Sequence, residues 1–216
     1  MTFAIREGKA LSLKQAGKAP SAPAVRPAHV VALAASAGGL AALSHVLSAL
    51  PPNFPAPVLI VQHLDPHHRS WLAEILGRRA ALAVCQAADG MLPVAGTVYV
   101  APPNRHLLVR GDGALDLSDS TRVQYVRPSA NLLFASLAEA WGGGAIAVVL
   151  TGTGKDGAEG VRAIKSRGGT VIVQDEASAE FFGMPGAAIR TGVADRVLPL
   201  DDIAPALVEL AAGVNA

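Results

Sequence analysis

Three residue types that together can carry out nucleophilic hydrolysis each follow an apolar run of this sequence. Ser36 follows HVVALAA, His63 follows VLIVQ, and Asp156 lies in the loop after AIAVVL. An imidazole can take the proton of a serine hydroxyl, and a carboxylate can hold that imidazole in the required orientation. We therefore predict that Ser36, His63 and Asp156 are catalytic, with His63 within hydrogen-bond reach of both partners.

Each of the three residues also has a purely structural interpretation. Ser36 could cap the helix that follows it, and its AASAG turn departs from the nucleophile motif G-x-S-x-G by an alanine in the first position. His63 could be a buried histidine with satisfied hydrogen bonds, and Asp156 could interact with a helix dipole. None of the three is specific alone, but their shared placement after apolar runs favours catalysis.

The loop GTGKDG, residues 152–157, is compatible with two different functions. It satisfies the dinucleotide-binding pattern G-x-G-x-x-G, and Asp175 follows 23 residues after Gly152, close to where that pattern expects a ribose-binding acid. Alternatively, the glycines shape a turn that presents Asp156. About two thirds of the chain precedes this loop, whereas the pattern usually belongs to the first strand-helix-strand unit, so we favour the second interpretation. A P-loop is excluded because Lys155 is not followed by Ser or Thr.

The order of the apolar runs predicts the elements that position these residues. Continuous runs such as HVVALAA and AIAVVL are typical of parallel strands buried on both faces. Helical segments separate them, including SANLLFASLAEAW with Ser129 as a candidate cap, and a helix whose face is marked by Leu40, Leu43, Leu47 and Leu50. HLLVRGDGALDLS predicts a β-hairpin. The predicted fold class is α/β: a doubly wound, mainly parallel sheet with helices on both faces and a β-hairpin insertion.

Composition indicates a globular protein with a large core. The chain has 216 residues, of which 51% are hydrophobic and 16% charged, and its net charge of +1 gives no global attraction for nucleic acid. The apolar runs fall short of the roughly 20 residues of a membrane span, so no membrane insertion is expected. The single cysteine, Cys85, excludes an intramolecular disulfide and indicates a cytoplasmic location. Residues 1–27 predict a disordered basic leader, and residues 28–216 predict the folded domain.

A metal hydrolase is an alternative for the HLDPHH segment. His63, Asp65, His67 and His68 are crowded there, and His106 is a more distant candidate ligand. The order of these residues does not match H-x-H-x-D-H, and a solvated helix start explains the crowding equally well. We therefore predict neither a metal nor a cofactor.

The sequence also resembles a known family over about residues 28–212. The segments ASAGGLAAL, VLIVQHLDP, VYVAPPNRHLLV, RPSANLLFASLA, LTGTGKDGAEGVRAIKSRGGTVIVQDEASAEFFGMPGAAI and GVADRVLPLDDIA occur in the order expected for a CheB-type chemotaxis protein-glutamate methylesterase catalytic domain. Taken together, these segments are highly specific. The segments QHLDPHHRSWLAEIL and GTG are most similar to those of the subgroup that is often fused to a receptor methyltransferase.

The resemblance implies a carboxylic ester hydrolase that removes methyl esters from glutamate side chains on the cytoplasmic helices of chemoreceptors, and that often deamidates receptor glutamines. It places the family's catalytic serine, histidine and aspartate on Ser36, His63 and Asp156. Its oxyanion hole falls on the backbone N–H groups of Ala37 and Thr153. The implied partners are methylated chemoreceptor helices, with other chemosensory proteins as further candidates and no nucleic acid.

The sequence departs from this family in several places. Many relatives have Thr where Ala37 stands and Met where Thr153 stands, which backbone roles would tolerate, and an acid where Asn131 stands, whose role therefore stays open. Many relatives carry an N-terminal receiver domain that the residues before Ser36 are too few to form, so we expect a stand-alone enzyme without phospho-regulation in cis. A catalytically silent adaptor of the same fold is the remaining alternative. Residues around Arg105 and Arg127, together with the loop EFFGMP at residues 180–185, are expected to shape the substrate groove.

Overall fold

The computed structural model describes residues 26–63 and 70–213 of the chain. Its strands are β1 (Val30–Ala35), β2 (Val58–Gln62), β3 (Ala83–Gln86), β4 (Thr97–Val100), β5 (His106–Val109), β6 (Leu115–Ser118), β7 (Ala145–Val149), β8 (Thr170–Gln174) and β9 (Arg196–Leu198). Its helices are α1 (Gly39–Ala49), α2 (Leu72–Gly77), α3 (Ala130–Trp141), α4 (Ala158–Ser166), α5 (Gly183–Ile189) and α6 (Leu200–Ala211), with a 3-10 turn at Gly142–Gly144.

Seven strands form one sheet in the order β3-β4-β2-β1-β7-β8-β9, in which all neighbouring strands are parallel. Strands β5 and β6 form a separate antiparallel hairpin. The chain leaves β1 towards β2 on one side and later returns to β7 on the other, so the strand order reverses beside β1. In α/β sheets, the cleft at the carboxyl ends of the strands beside such a reversal is the usual binding site. The predicted α/β fold with its hairpin insertion is confirmed.

Alternating side chains of the central strands build a core on each face of the sheet. In β1, Val31 and Leu33 pack with α1, α2 and α6 on one face. Ala32 and Ala34 pack with α3, α4, α5 and the hairpin on the other face. All six residues of β1 are fully buried, which explains why this strand is a continuous apolar run rather than an alternating one. The rigid centre of the sheet therefore ends where Ser36 begins.

Two local expectations from the sequence are wrong. Leu40 is 44% exposed, whereas Leu43 and Leu47 are fully buried, so Leu40 does not belong to the buried face of α1. Part of the expected loop at residues 180–185 is helical, because α5 begins at Gly183. A helix with two glycines and a proline in seven residues has little intrinsic propensity and depends on tertiary packing, here through the buried Met184.

The first described residues pack against α3. The Arg26 guanidinium lies 4.0 Å from the Trp141 ring centroid, and Trp141 Nε1 donates to Pro27 O (2.9 Å). The remainder of the predicted leader, residues 1–25, lies outside the described residues. None of the described helices has the length and hydropathy needed to cross a membrane.

Candidate active site

The carboxyl ends of β1, β2 and β7 bring two of the predicted catalytic residues to one edge of the sheet. Ala35 pairs with Gln62 in the β1–β2 register, so Ser36 and His63 follow the last paired positions. The Ser36 N–H donates to Thr151 O (3.0 Å), just beyond β7, and the His63 N–H donates to Ala35 O (3.2 Å). The sheet hydrogen bonds therefore fix both backbones beside the loop that follows β7.

The predicted catalytic side chains line one open cleft of about 750 Å³. The cleft is lined by Ser36, His63, Gln124, Tyr125, Val126, Thr153, Gly154, Lys155 and Asp156. Ser36 also borders a second cavity of about 430 Å³ on the α1 side. The serine therefore lies where two cavities meet, accessible to a substrate that lies across the sheet edge.

Asp156 is almost fully buried and accepts four hydrogen bonds from residues that the structure describes. His63 Nε2 lies 2.8 Å from Oδ2. Ser129 Oγ donates to Oδ1 (2.8 Å), and the backbone N–H groups of Ala130 and Asn131 donate to Oδ2 (2.6 Å) and Oδ1 (3.1 Å). The last three donors lie at the start of α3, where the helix dipole also stabilises a negative charge. The site therefore holds the carboxylate in a single orientation towards His63.

These contacts determine the protonation of the pair. Burial raises the pKa of the Asp156 carboxyl, but the hydrogen bonds from His63, Ala130 and Ser129 outweigh burial and hold the pKa below its ordinary value of 3.8. An ionised carboxylate only accepts hydrogen bonds, so Nε2 of His63 carries the proton in this contact. Nδ1 is then the ring nitrogen of a neutral His63 that can take a proton from a nucleophile.

The expected hydrogen bond between Ser36 and His63 is not formed: among the described residues, the His63 side chain bonds to Asp156 only. Contacts of this kind are often long without substrate and shorten when it binds. Gln62 instead links the two backbones, because its Nε2 donates to Ser36 O (2.8 Å) and to His63 O (3.1 Å). The Gln62 side chain thus holds the backbones of Ser36 and His63 at a fixed separation.

The predicted oxyanion donors, the N–H groups of Ala37 and Thr153, do not bond to any residue in the described part of the chain. In a trans peptide the C=O and N–H groups point in opposite directions, so a bond to one orients the other. The Ser36 carbonyl is held by the glutamine amide, and the Gly152 carbonyl accepts from the Met184 N–H (2.8 Å). Both candidate N–H groups are therefore free and held in direction.

Gly152 allows the loop after β7 to approach Ser36 closely. A Cβ at this position would lie 2.9 Å from Ser36 Cβ and 2.4 Å from Met184 Sδ. No larger residue fits there without displacing the serine or the methionine. The first glycine of the GTGKDG loop is thus needed for its contact with Ser36.

The N-terminus of α4, where the dinucleotide interpretation would place a phosphate, is already occupied. Asn131 Oδ1 accepts hydrogen bonds from the N–H groups of Gly157 (3.0 Å) and Gly160 (2.8 Å). A phosphate at this helix end would need those donors. Asp175, the candidate ribose-binding acid, accepts from Ser178 N (2.9 Å) and Ser178 Oγ (2.6 Å). Asn131, whose role the sequence left open, therefore caps α4.

Ser129 has a different role from the one expected. It precedes α3, but its hydroxyl makes no capping bond to that helix and donates to Asp156 instead. A serine before a helix ordinarily predicts a cap. Here the hydroxyl instead bonds to a carboxylate from a loop that is distant in sequence, and no local sequence pattern predicts such a contact.

Residues 119–128 form a segment that we call the rim loop, of which the sequence indicated only the surroundings of Arg127 and not the tight turn. Val123 and Val126 exchange two backbone hydrogen bonds (3.1 and 3.0 Å) around a tight turn. The two residues of that turn, Gln124 and Tyr125, have φ values of 50° and 68° and line the cleft. Tyr125 is 95% exposed. The polar composition of this segment before a helix indicates a loop. It does not indicate the tight turn, because the segment contains no Asn-Gly or similar pair.

The residues of the metal alternative are not brought together in the described part of the chain. Asp65, His67 and His68 lie outside the described residues. His106 is fully buried, and both its ring nitrogens are engaged, with Ser129 N and Thr121 O at 3.2 Å each. Cys85 is half-buried in β3, and burial raises the pKa of its thiol, which disfavours a reactive thiolate.

Comparison with known proteins identifies the family. A family profile described as CheB methylesterase matches residues 31–207. The crystal structure of the Thermotoga maritima CheB methylesterase catalytic domain superposes with a TM-score of 0.81 at 39% identity, covering 84% of this chain and 98% of that chain.

Named relatives agree with this match. A protein-glutamate methylesterase/protein-glutamine glutaminase of Myxococcus xanthus is 46% identical over 178 residues, which cover 82% of this chain and 50% of the relative. One from Moorella thermoacetica is 44% identical over 221 residues, which cover 98% of this chain and 52% of the relative. The chain thus spans about half the length of the curated relatives it matches. It belongs to the CheB methylesterase family.

Proposed function

We propose that the chain is a protein-glutamate methylesterase that uses Ser36, His63 and Asp156 as a catalytic triad. The observation that carries this proposal is the 2.8 Å contact between His63 Nε2 and a buried, ionised Asp156, at the edge of the cleft that Ser36 lines. Relatives with 44–46% identity are named for this activity. The substrate is a glutamate γ-methyl ester on a chemoreceptor cytoplasmic helix.

In the first half-reaction, Ser36 Oγ attacks the ester carbonyl carbon while His63 Nδ1 takes the hydroxyl proton. The resulting imidazolium is stabilised by Asp156. The tetrahedral intermediate collapses when His63 returns the proton to the methoxy oxygen, so that methanol leaves and a glutamyl ester of Ser36 remains. In the second half-reaction, water attacks that ester with His63 again as base, which releases the glutamate and restores the serine.

The negative oxygen of each tetrahedral intermediate needs donors that are already in place. The N–H groups of Ala37 and Thr153 fit this role because neither has a partner among the described residues and both are oriented through their own peptide groups. Each such donor typically contributes about 10²- to 10³-fold to the rate. The backbone nature of both donors explains how an alanine and a threonine can stand where many relatives have other side chains.

The same chemistry acts on a glutamine amide, with ammonia instead of methanol as the leaving group. We include this deamidation in the proposal because the relatives are named for both activities. Methylated receptor helices are the proposed partners, and the cytoplasm is the proposed location. The adaptor alternative would leave the carboxylate-imidazole contact without a purpose, so we prefer an enzyme.

Methanol release tests this function. The protein is incubated with receptor preparations whose glutamates carry isotope-labelled methyl esters, and volatile methanol is counted over time. We expect release that depends on the amount of protein, and none from a receptor whose methylated glutamates are replaced by alanine. Binding of the methylated receptor without methanol release would contradict the esterase and favour the adaptor.

A further inference from the structure

We propose that His106 is a positioning residue that sets the orientation of the Asp156 carboxylate through Ser129. His106 is the first residue of β5, is fully buried and does not line the catalytic cleft. Its effect on ester hydrolysis rests on the proposed function, whereas its effect on the geometry of the site does not.

Both ring nitrogens of His106 are used, each in a defined role. Nδ1 accepts the backbone N–H of Ser129 (3.2 Å), so it carries no proton. Nε2 lies 3.2 Å from Thr121 O, a pure acceptor, so it carries the proton of the neutral ring. Burial, the largest influence, lowers the pKa of His106, which agrees with a neutral imidazole held as a single tautomer.

The bond to Ser129 matters because that residue leads the group that holds the carboxylate. Three donors to Asp156 come from consecutive residues, namely the Ser129 hydroxyl and the N–H groups of Ala130 and Asn131. A shift of the Ser129 backbone therefore moves all three donors together. The preceding Pro128 has no N–H of its own to anchor the turn.

The second contact of His106 reaches the rim loop. Thr121 belongs to that loop, which carries Tyr125 over the cleft. Arg127 holds the same loop through hydrogen bonds to Asn104 Oδ1 (3.0 and 2.7 Å) and to the carbonyl of Ser120 (2.7 Å). His106 thus joins the segment that faces the substrate to the turn that holds the catalytic carboxylate.

The two ring contacts can be separated with a matched pair of variants. In His106→Asn the side-chain oxygen lies near the position of Nδ1 and can still accept the Ser129 N–H. In His106→Gln the longer amide reaches the position of Nε2 and can still donate to Thr121 O, but leaves the Ser129 N–H without an acceptor. The same two substitutions at His45, which is exposed on α1, control for the loss of a histidine.

The first readout is the proton NMR signal of the His63 Nε2–H that bonds to Asp156, assigned by its loss in His63→Gln. This signal reports the geometry whether or not the protein is an esterase. We expect His106→Asn to keep the signal and His106→Gln to shift or lose it. The second readout is methanol release, for which we expect His106→Gln to lower kcat by between about 10- and 100-fold with little change in KM, and His106→Asn to retain most of kcat.

Both readouts are taken on protein shown to be folded by its unfolding curve, so a loss of stability alone does not count as support. The proposal is overturned if the folded Gln variant keeps the His63 signal, or if the Asn variant loses it to the same extent. An unmodified protein that releases no methanol while the signal responds as expected would refute the esterase and leave the positioning role intact.

Discussion

At the scale of single residues, Asp156 connects the proposed catalytic chemistry to the rest of the fold. Its two oxygens accept from His63, Ser129, Ala130 and Asn131, so the carboxylate is ionised although it is buried. A buried charge of this kind is stable only when its hydrogen bonds are complete. The same contacts that keep it charged also aim it at the imidazole.

Replacing Asp156 by Asn should therefore damage both activity and stability. The amide would turn its N–H groups towards other donors. We therefore expect kcat to fall by roughly 10³- to 10⁴-fold, comparable to the effect of the same substitution in the Ser-His-Asp triad of serine proteases, and the free energy of unfolding to fall by about 1–3 kcal/mol. Methanol release and urea unfolding measure the two effects. Glu159→Gln, whose side chain is 74% exposed, is the control. Activity of a folded Asp156→Asn protein within tenfold of the unmodified protein would refute the role of this carboxylate.

The proposed catalytic residues could be placed from the sequence, whereas the residues that support them could not. Ser36 and His63 follow recognisable strands, so the rule for parallel sheets locates them at one edge. Ser129 and His106 act through contacts with segments that are distant in sequence. The sequence assigned Ser129 a capping role and His106 only a place among the candidate metal ligands, because neither residue has a local pattern that indicates its actual partner.

At the scale of elements, strands were easier to predict than turns and short helices. The continuous apolar runs of β1 and β7 are explained by burial on both faces, and this property is visible in the sequence. The first three residues of α5 were expected to belong to the loop at residues 180–185; its composition gives little helix propensity, and tertiary packing overrides that preference. The tight turn of the rim loop was missed because it uses Gln124 and Tyr125, two residues that rarely adopt positive φ.

Two substitutions of Tyr125 in the turn of the rim loop should differ in stability but have the same effect on substrate binding. A left-handed conformation costs a non-glycine residue about 1–2 kcal/mol, so Tyr125→Gly should be more stable than Tyr125→Ala by about 1 kcal/mol. Because the ring is exposed beside the cleft, both variants should raise KM for the methylated receptor by about fivefold or more and leave kcat unchanged. Urea unfolding and steady-state methanol release measure these effects. An unchanged KM in both variants would show that the ring does not contact the substrate.

At the scale of the whole molecule, the doubly wound sheet gathers the site and the core stabilises it. Ser36 and His63 follow adjacent strands, and the loop after β7 adds Asp156 from the other side of the strand-order reversal. The fold class and hairpin insertion could be predicted because alternation of strands and helices restricts the possible topologies. This arrangement buries a small set of polar groups, including His106 and Asp156, in an otherwise apolar interior.

These buried groups predict how the stability of the molecule changes with pH. Burial, and to a smaller extent Arg127, lowers the pKa of His106 in the folded state, and Asp156 acts in the opposite direction by raising it. The unfolded chain therefore binds more protons once the pH falls below the ordinary value of 6.5, and stability declines from there. The pKa of Asp156 is lowered as well, so its contribution is present above the ordinary value of 3.8 and is lost as the pH falls through the folded pKa.

Unfolding measured at several pH values tests this sequence of losses. We expect the unmodified protein to lose stability between about pH 7 and pH 5, and His106→Asn to lose less over the same interval because the titrating ring is gone. Further acidification should destabilise both proteins as Asp156 takes up a proton. Equal losses in the two proteins between about pH 7 and pH 5 would show that His106 does not control this interval.

The central claim is that Ser36 is the nucleophile of an ester hydrolase, and methanol release by Ser36→Ala tests it most directly. The variant removes one oxygen and leaves the Ser36 backbone contacts in place, so it should fold and bind receptor normally. Ser48→Ala, at an exposed position near the end of α1, is the matched control. We predict that Ser36→Ala releases no methanol above background while Ser48→Ala matches the unmodified protein; a folded Ser36→Ala protein that still demethylates the receptor would contradict the account.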